Sequence, residues 1–200
     1  MISSTDYAFF RTFLHARSGL ALPEDKHYLL ESRLTPIARS LGASSLGQLV
    51  ERLKRPSDDG AKKAVVEAMT TNESLFFRDM QPFESFARIV LPALHAARPA
   101  GRNLRIWCAA ASTGQEPYSI AMLLQEHAGK IPGRKVEIVA TDISTEALAR
   151  ARAGIYTQFE VQRGLPVQYL LKHFTKVGDN WKIADDIIRM VNFREFNLLE

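Results

Sequence analysis

Through the first 70 residues the apolar positions recur every three or four residues, the spacing of amphipathic helices. In STDYAFFRTFLHARSGL, Phe9, Phe10, Phe13 and Leu14 fall on one face, Thr5 is placed to cap the start, and Gly19 supplies the stop. A second helix, DKHYLLESRLTPIARSLG, spaces Leu30, Leu34, Ile37 and Leu41 along one face and stops at Gly42. Pro36 lacks an N–H inside that pattern, so it is expected to kink or divide the helix. A third runs from a Ser45 cap through Leu46, Leu49, Val50 and Leu53 and ends before Pro56; a fourth, AKKAVVEAMT, follows the polar turn PSDDG. Four helices with short connections predict a small helical bundle.

From Gln81 the pattern changes. Pro82 opens a long predicted helix, PFESFARIVLPALHAARP, and PAGRN then leads into the strand LRIWCAA. The helix PYSIAMLLQEHAG, the strand KVEIVATD and the helix STEALARARAG follow. This βαβα order implies a parallel, right-handed, doubly wound sheet. Beyond it, PVQYLLKHF reads as a short helix with Pro166 in its first turn. FTKVGDNWKI reads as a hairpin around Gly178 and Asp179, and DIIRMVNFREF as one further strand. No internal repeat or low-complexity segment interrupts the chain.

Composition narrows the function classes. The 200 residues are 46% hydrophobic, enough for one large or two small cores. The net charge of +4 is mild and no run of five like charges occurs, which argues against a nucleic-acid tail and allows an acidic partner. The one cysteine, Cys108, forms no internal disulfide, and the five histidines have no metal-ligand spacing, so no metal is expected and a reducing cytoplasm is. No apolar stretch approaches the roughly 18 residues of a membrane span, and no secretory h-region follows Met1. A cytoplasmic protein without membrane insertion is the expectation.

The candidate chemistry begins in CAAASTGQEPYS, residues 108 to 119. Small residues between a strand and a helix let a ligand approach the backbone, and the helix start presents free N–H groups. A nucleotide-like ligand suits such a turn; any tight strand-to-helix turn also favours small residues. Asp142, ending the second strand, stands where a doubly wound fold places an acid against ribose hydroxyls, or simply caps the next helix. A glycine-poor turn with such an acid points away from NAD and toward S-adenosylmethionine, which has no pyrophosphate but carries a carboxylate and an ammonium. In TTNESLFFRD, Arg78 follows the apolar pair Phe76 and Phe77, and a fixed arginine can form a bidentate pair with a carboxylate. A helix cap followed by core residues would look the same.

TTNESLFFRD, IWCAAASTGQEPYSIAMLL, EIVATDISTEALARARAGIY and FREFNLLE, in this order and spacing, resemble the CheR family of chemotaxis receptor methyltransferases over nearly the whole chain. The resemblance implies an α/β chain in which a helical N-terminal domain (1–70) precedes a Rossmann-like methyltransferase domain (81–200). Residues 71–80 link the two and contribute to the cofactor site, and 155–190 form a small β-subdomain insert. It implies S-adenosylmethionine as cofactor, S-adenosylhomocysteine as product, and glutamate side chains of chemoreceptor cytoplasmic domains as methyl acceptors. Carried over residue by residue, Asn72, Ser74 and Arg78 meet the methionyl end, Ser74 replacing the more usual threonine. Glu116 meets the ammonium, Asp142 the ribose, and Asn197 and Leu198 the adenine. Arg78 is also the candidate for orienting the substrate carboxylate.

In some members the insert docks a tethering peptide from the receptor C-terminus; the short loop at Gly178 favours members that work without it. Lys26, Arg33 and Arg39 are candidates for contact with acidic receptor helices, the alternative being a solvated charged face. The family continues past FNLLE, so the C-terminal part of the sheet is expected to be missing and the central first strand to have an open edge. Competing readings are a methyltransferase of this fold with another acceptor, a catalytically silent binding module, and, weakest, an NAD dehydrogenase. Fold alone does not separate them.

Overall fold

The computed structural model describes residues 2–99 and 101–200. They separate into two compact units, one reaching to Thr71 and including Asn197–Glu200, the other Asn72–Phe196.

The first unit holds α1 (Ser4–Ser18), α2 (His27–Ser40), α3 (Leu46–Leu53) and α4 (Asp59–Met69). Ser3 rather than Thr5 caps α1, its side chain accepting from Asp6 N–H, and Gly19 ends the helix at φ 72°. Ser3 stands one residue before the first helical turn, where its hydroxyl can reach the third N–H, whereas Thr5 is already inside. Of the predicted α1 face, Phe10 and Leu14 are buried together with Tyr7. Phe9 and Phe13 are half-buried and stack on each other. Pro36 lies inside α2 without dividing it. Ser45 caps α3, accepting from Gln48 N–H, and Asp58 caps α4. The fully buried Leu30, Leu34, Leu49 and Val65 form the centre.

Arg33 contributes to this unit from within. Its guanidinium donates to the carbonyls of Met69 (3.0 Å) and Thr70 (2.9 Å). These are end-of-helix carbonyls of α4, which has no glycine C-cap, and a cation there also meets the negative end of the helix dipole. Arg39 is exposed, and Lys26 is half-exposed beside Asp25.

The second unit opens with α5 (Gln81–Ser85) and α6 (Leu91–Ala97), joined through a π-helical turn over Phe86–Val90. The predicted long helix is thus continuous but widened: Leu91 N–H donates to Phe86 O, five residues back. Pro92 explains this, because it offers no N–H to Arg88 and its ring would strike that carbonyl in a regular helix. Next come β1 (Leu104–Ala109), α7 (Gln115–Glu126), β2 (Val136–Asp142) and α8 (Thr145–Ala153). The chain ends its regular structure in β3 (Ile155–Thr157), α9 (Gln158–Gln162), α10 (Val167–His173), β4 (Phe174–Val177), β5 (Asn180–Ile183), α11 (Asp185–Ile188) and β6 (Val191–Glu195).

Three strands form the expected parallel sheet in the order β1-β2-β6, with Cys108 opposite Ala140 and Ala140 opposite Phe193. Leu104, Cys108, Ile138, Ala140 and Phe193 point into the core shared with α7 and α8. Arg105 and Trp107 alternate with them on the open face, where Trp107 is 57% exposed and donates from Nε1 to Thr141 Oγ1 at 2.9 Å. Among the described residues no strand pairs with the outer edge of β1.

A second, antiparallel sheet has the order β3-β5-β4. The hairpin at Gly178 is as predicted; β3, only three residues long, carries too short an alternation to be read from sequence. DIIRMVNFREF divides into α11 and β6 instead of forming one strand, since Ala184 directs the chain into a helical turn led by Asp185 and Asp186.

Candidate functional site

The turn after β1 is wound unusually tightly. Ala110 (φ 56°), Ser112 (φ 52°) and Gly114 (φ 94°) alternate through the left-handed region. Only Gly114 enters it without penalty, so the neighbours must hold the other two. Ala111 N–H donates to Thr141 O (2.8 Å), Gly114 N–H to Ala111 O (3.0 Å), and Ser112 N–H to Asp142 Oδ2 (2.7 Å). Gly114 serves the fold more than a ligand. A Cβ there would lie 2.9 Å from Ala151 Cβ and 3.2 Å from Tyr156 Oη, so the missing side chain allows α7 to pack on α8. Tyr118 and Tyr156 bridge the same joint, donating to Ala151 O (2.7 Å) and Thr113 O (2.8 Å).

Asp142 ties two turns together. Its second oxygen, Oδ1, accepts from Ser144 N–H at 2.9 Å, while Oδ2 holds Ser112. Each carboxylate oxygen keeps further acceptor capacity for a hydroxyl pair such as that of ribose. Ser144 also caps α8, accepting from Ala147 N–H at 3.2 Å, and accepts from Asn72 Nδ2 at 3.3 Å. Asn72 is thereby connected to Asp142 through one serine.

Ser74, Arg78 and Glu116 line one cavity of about 410 Å³ together with Ala110, Ser112 and Phe86. That is the size of a small-molecule site. It lies where β1 ends and α7 begins, the end of a parallel sheet at which ligands bind. A larger open hollow of about 800 Å³ lies against the starts of β2 and β6, the opposite end of the strands. The groups around the 410 Å³ cavity suit a ligand with both charges: Arg78 can donate to a carboxylate, Glu116 can accept from an ammonium, and the N–H groups at the start of α7 have no side-chain cap. Ser112 Oγ is buried without a hydrogen-bond partner. An orphaned hydroxyl in such a turn is suited to a polar ligand.

Arg78 lies on a turn in which Phe77 (φ 47°) and Asp79 (φ 59°) are again left-handed. Its side chain is two-thirds exposed and 4.0 Å from Asp79, so its donors remain available. Cys108, beneath the turn, is buried; burial first and neighbouring Glu116 second push its thiol up to about 12. Asn197 and Leu198 are grouped with the helical unit, where Asn197 donates to Arg17 O (2.8 Å) and accepts from Leu199 N–H (3.2 Å).

Sequence reasoning missed Ser112, Ser119 and Ser144 as supports of the site. All three lay inside the quoted motifs, but a serine's partners are set by tertiary placement, which spacing does not reveal. Among the described residues no group of three metal-ligating side chains is clustered, and no helix is long and apolar enough to cross a membrane.

Residues 72–200 match the family described as CheR methyltransferase, SAM binding domain, and residues 5–70 that described as CheR methyltransferase, all-alpha domain. The chain is 41% identical over 199 residues to chemotaxis protein methyltransferase Cher2 of Pseudomonas putida, covering 98% of this chain and 72% of that protein. It is 42% identical over 202 residues to chemotaxis protein methyltransferase 1 of Pseudomonas aeruginosa, covering 99% and 73%. To the chemotaxis protein methyltransferase of Escherichia coli it is 35% identical over 202 residues, covering 99% and 68%. With a helical unit followed by a parallel-sheet unit whose first turn is glycine-poor, the chain belongs to the CheR family of S-adenosylmethionine-dependent methyltransferases.

Proposed function

We propose that this protein-glutamate O-methyltransferase acts on glutamate side chains in the cytoplasmic domains of chemoreceptors, giving glutamate methyl esters. The observation that carries the site reading is the convergence of Ser74, Arg78 and Glu116 on one cavity beside the turn fixed by Asp142. In this reading Asn72, Ser74 and Arg78 receive the methionyl end of the cofactor, Glu116 its ammonium and Asp142 its ribose hydroxyls. S-adenosylmethionine supplies an electrophilic methyl group when bound.

The chain's own work is then positional. An ionised glutamate needs no general base, so the residues must align carboxylate and methyl and exclude water around opposite charges. Arg78, with donors to spare, also orients the acceptor carboxylate. Exposed Arg39 and half-exposed Lys26 give the helical unit positive charge for an acidic receptor helix. The short turn at Gly178 fits recognition without a receptor tether, and the protein works in the cytoplasm.

The test is transfer of labelled methyl to a chemoreceptor cytoplasmic fragment, counting base-labile label. Base-labile label on glutamate supports the reading. Stable label, or none with cofactor still bound, rejects the acceptor.

A further inference from the structure

Ser119 lies one turn beyond Glu116 on α7 and is completely buried. Its hydroxyl donates to Gln115 O at 2.7 Å, the carbonyl one turn back, and this orients the oxygen's lone pairs away from the helix. They meet the N–H of Phe77, which donates to Ser119 Oγ at 2.9 Å across 42 residues of sequence. Phe77 directly precedes Arg78.

The segment so held closes its own turn with one bond, Met80 N–H to Phe77 O at 3.0 Å, across a strained backbone. Phe77 and Asp79 both occupy left-handed backbone; aspartate tolerates it, but a bulky side chain such as that of Phe77 enters it only when the surroundings force it. The carbonyl of Phe76 is confined by the backbone at Gly164, where a Cβ would come within 2.2 Å of it. Packing therefore fixes Phe76 from one side and the Ser119 hydroxyl fixes Phe77 from the other, leaving Arg78 to leave the turn in one direction.

We infer that Ser119 is a positioning residue for cofactor binding: by anchoring Phe77 N–H to the cofactor helix, it sets the direction in which Arg78 meets the cofactor's carboxylate. This rests on the reading of Arg78 given above. No other hydrogen bond in the structure joins α7 to the backbone of the Arg78 turn among the described residues.

The test is a cycle of Ser119→Ala and Arg78→Ala in the full chain, with S-adenosylhomocysteine affinity measured by calorimetry and thermal midpoints measured alongside. Ser119→Ala is expected to weaken binding roughly tenfold, as loss of a buried partner does. In the Arg78→Ala background the same change is expected to alter affinity less than about twofold, because the residue acts through Arg78. Ser119→Thr and Ser119→Val have the same shape and differ in the hydroxyl. Thr is expected to bind more tightly than Val even where Ala unfolds the turn. If Arg78→Ala weakens binding but Ser119→Ala does not, or Thr and Val bind alike, Ser119 has no positioning role. If Ser119→Ala costs the same affinity with and without Arg78, its effect does not pass through Arg78 and the inference is overturned. If Arg78→Ala itself leaves affinity unchanged, the reading of Arg78 falls and the inference with it.

Discussion

Asp142 accepts the backbone N–H of Ser112 at 2.7 Å, and so closes the first turn of the sheet against the second. Through Oδ1 it does the same for Ser144. A residue read from sequence as a ribose ligand is therefore also a structural clasp, and its replacement must be interpreted as both. Asp142→Ala leaves two buried N–H groups without partners, at about 1–3 kcal/mol each. Asp142→Asn keeps an acceptor for one of them and should cost about half as much. Denaturant unfolding of the two variants and the unsubstituted chain, beside cofactor titration, checks this: two variants as stable as the unsubstituted chain would mean that the clasp carries no weight.

Three of the left-handed glycines, Gly178, Gly114 and Gly164, should rank by what surrounds them. Gly164→Ala drives a Cβ to 2.2 Å from Phe76 O, a backbone atom that cannot yield cheaply. Gly114→Ala meets Ala151 Cβ at 2.9 Å. Gly178→Ala, at φ 60° with nothing within 4 Å, meets only the backbone penalty of about 1–2 kcal/mol. The first two add overpacking of roughly 1–3 kcal/mol or more. Melting temperatures should therefore fall in the order Gly178, Gly114, Gly164, the last lowest; a Gly164 variant as stable as the Gly178 one would contradict the close approach.

This ranking shows where sequence stopped being informative. Gly114 was legible as a turn residue, because strand, small residues and helix follow one another in CAAASTGQEPYS. That its hydrogen faces Ala151 and Tyr156 was not, since those residues lie on α8 and β3, brought near only by the crossover. Helix periods and strand runs, and hence the bundle and the parallel sheet, were readable because they depend on local spacing. The π-helical turn depends on Pro92 interacting with its own helix, and β3 on a partner strand 25 residues later (Tyr156 opposite Trp181), so neither left a pattern. The site divides in the same way. Arg78, Glu116 and Asp142 stood in recognisable motifs, whereas Ser112, Ser119 and Ser144 are defined by whom they touch.

Cys108 should behave as an inert core residue under a reactive-looking turn. Burial, then the Glu116 carboxylate, raises its thiol from 9.0 to about 12. The neutral form is favoured in the fold, so the contribution to stability is complete below pH 9 and is lost as pH rises toward about 12. At pH 8 a thiol reagent should label the native chain far more slowly than the chain in denaturant. Glu116→Gln should lower the thiol's titration only partly, because burial is the larger cause. Rapid native labelling would show the site to be open.

His173 should make the fold sensitive to mild acid. It is 3% exposed, its Nε2 lacks a hydrogen-bond partner, and Glu126 Oε1 of α7 is 3.5 Å away. Burial first, then adjacent Lys172 on α10, lowers its pKa, while Glu126 and Asp186 of α11 oppose the shift without overcoming it. An imidazole held neutral in the fold but free to protonate when unfolded contributes stability above its ordinary value of 6.5 and loses it as pH falls through the lowered value. Glu126, held below its usual range chiefly by its hydrogen bond from Lys172, loses stability in the same direction at lower pH. His173 stacks on Tyr169, which packs against Phe77, so loosening there reaches the turn that carries Arg78. His173→Phe fills the site without a titrating nitrogen and should flatten the decline in melting temperature between pH 6.5 and 5. A wild-type profile flat over that interval would contradict the prediction, and an unchanged slope in the variant would assign the decline to the carboxylates alone.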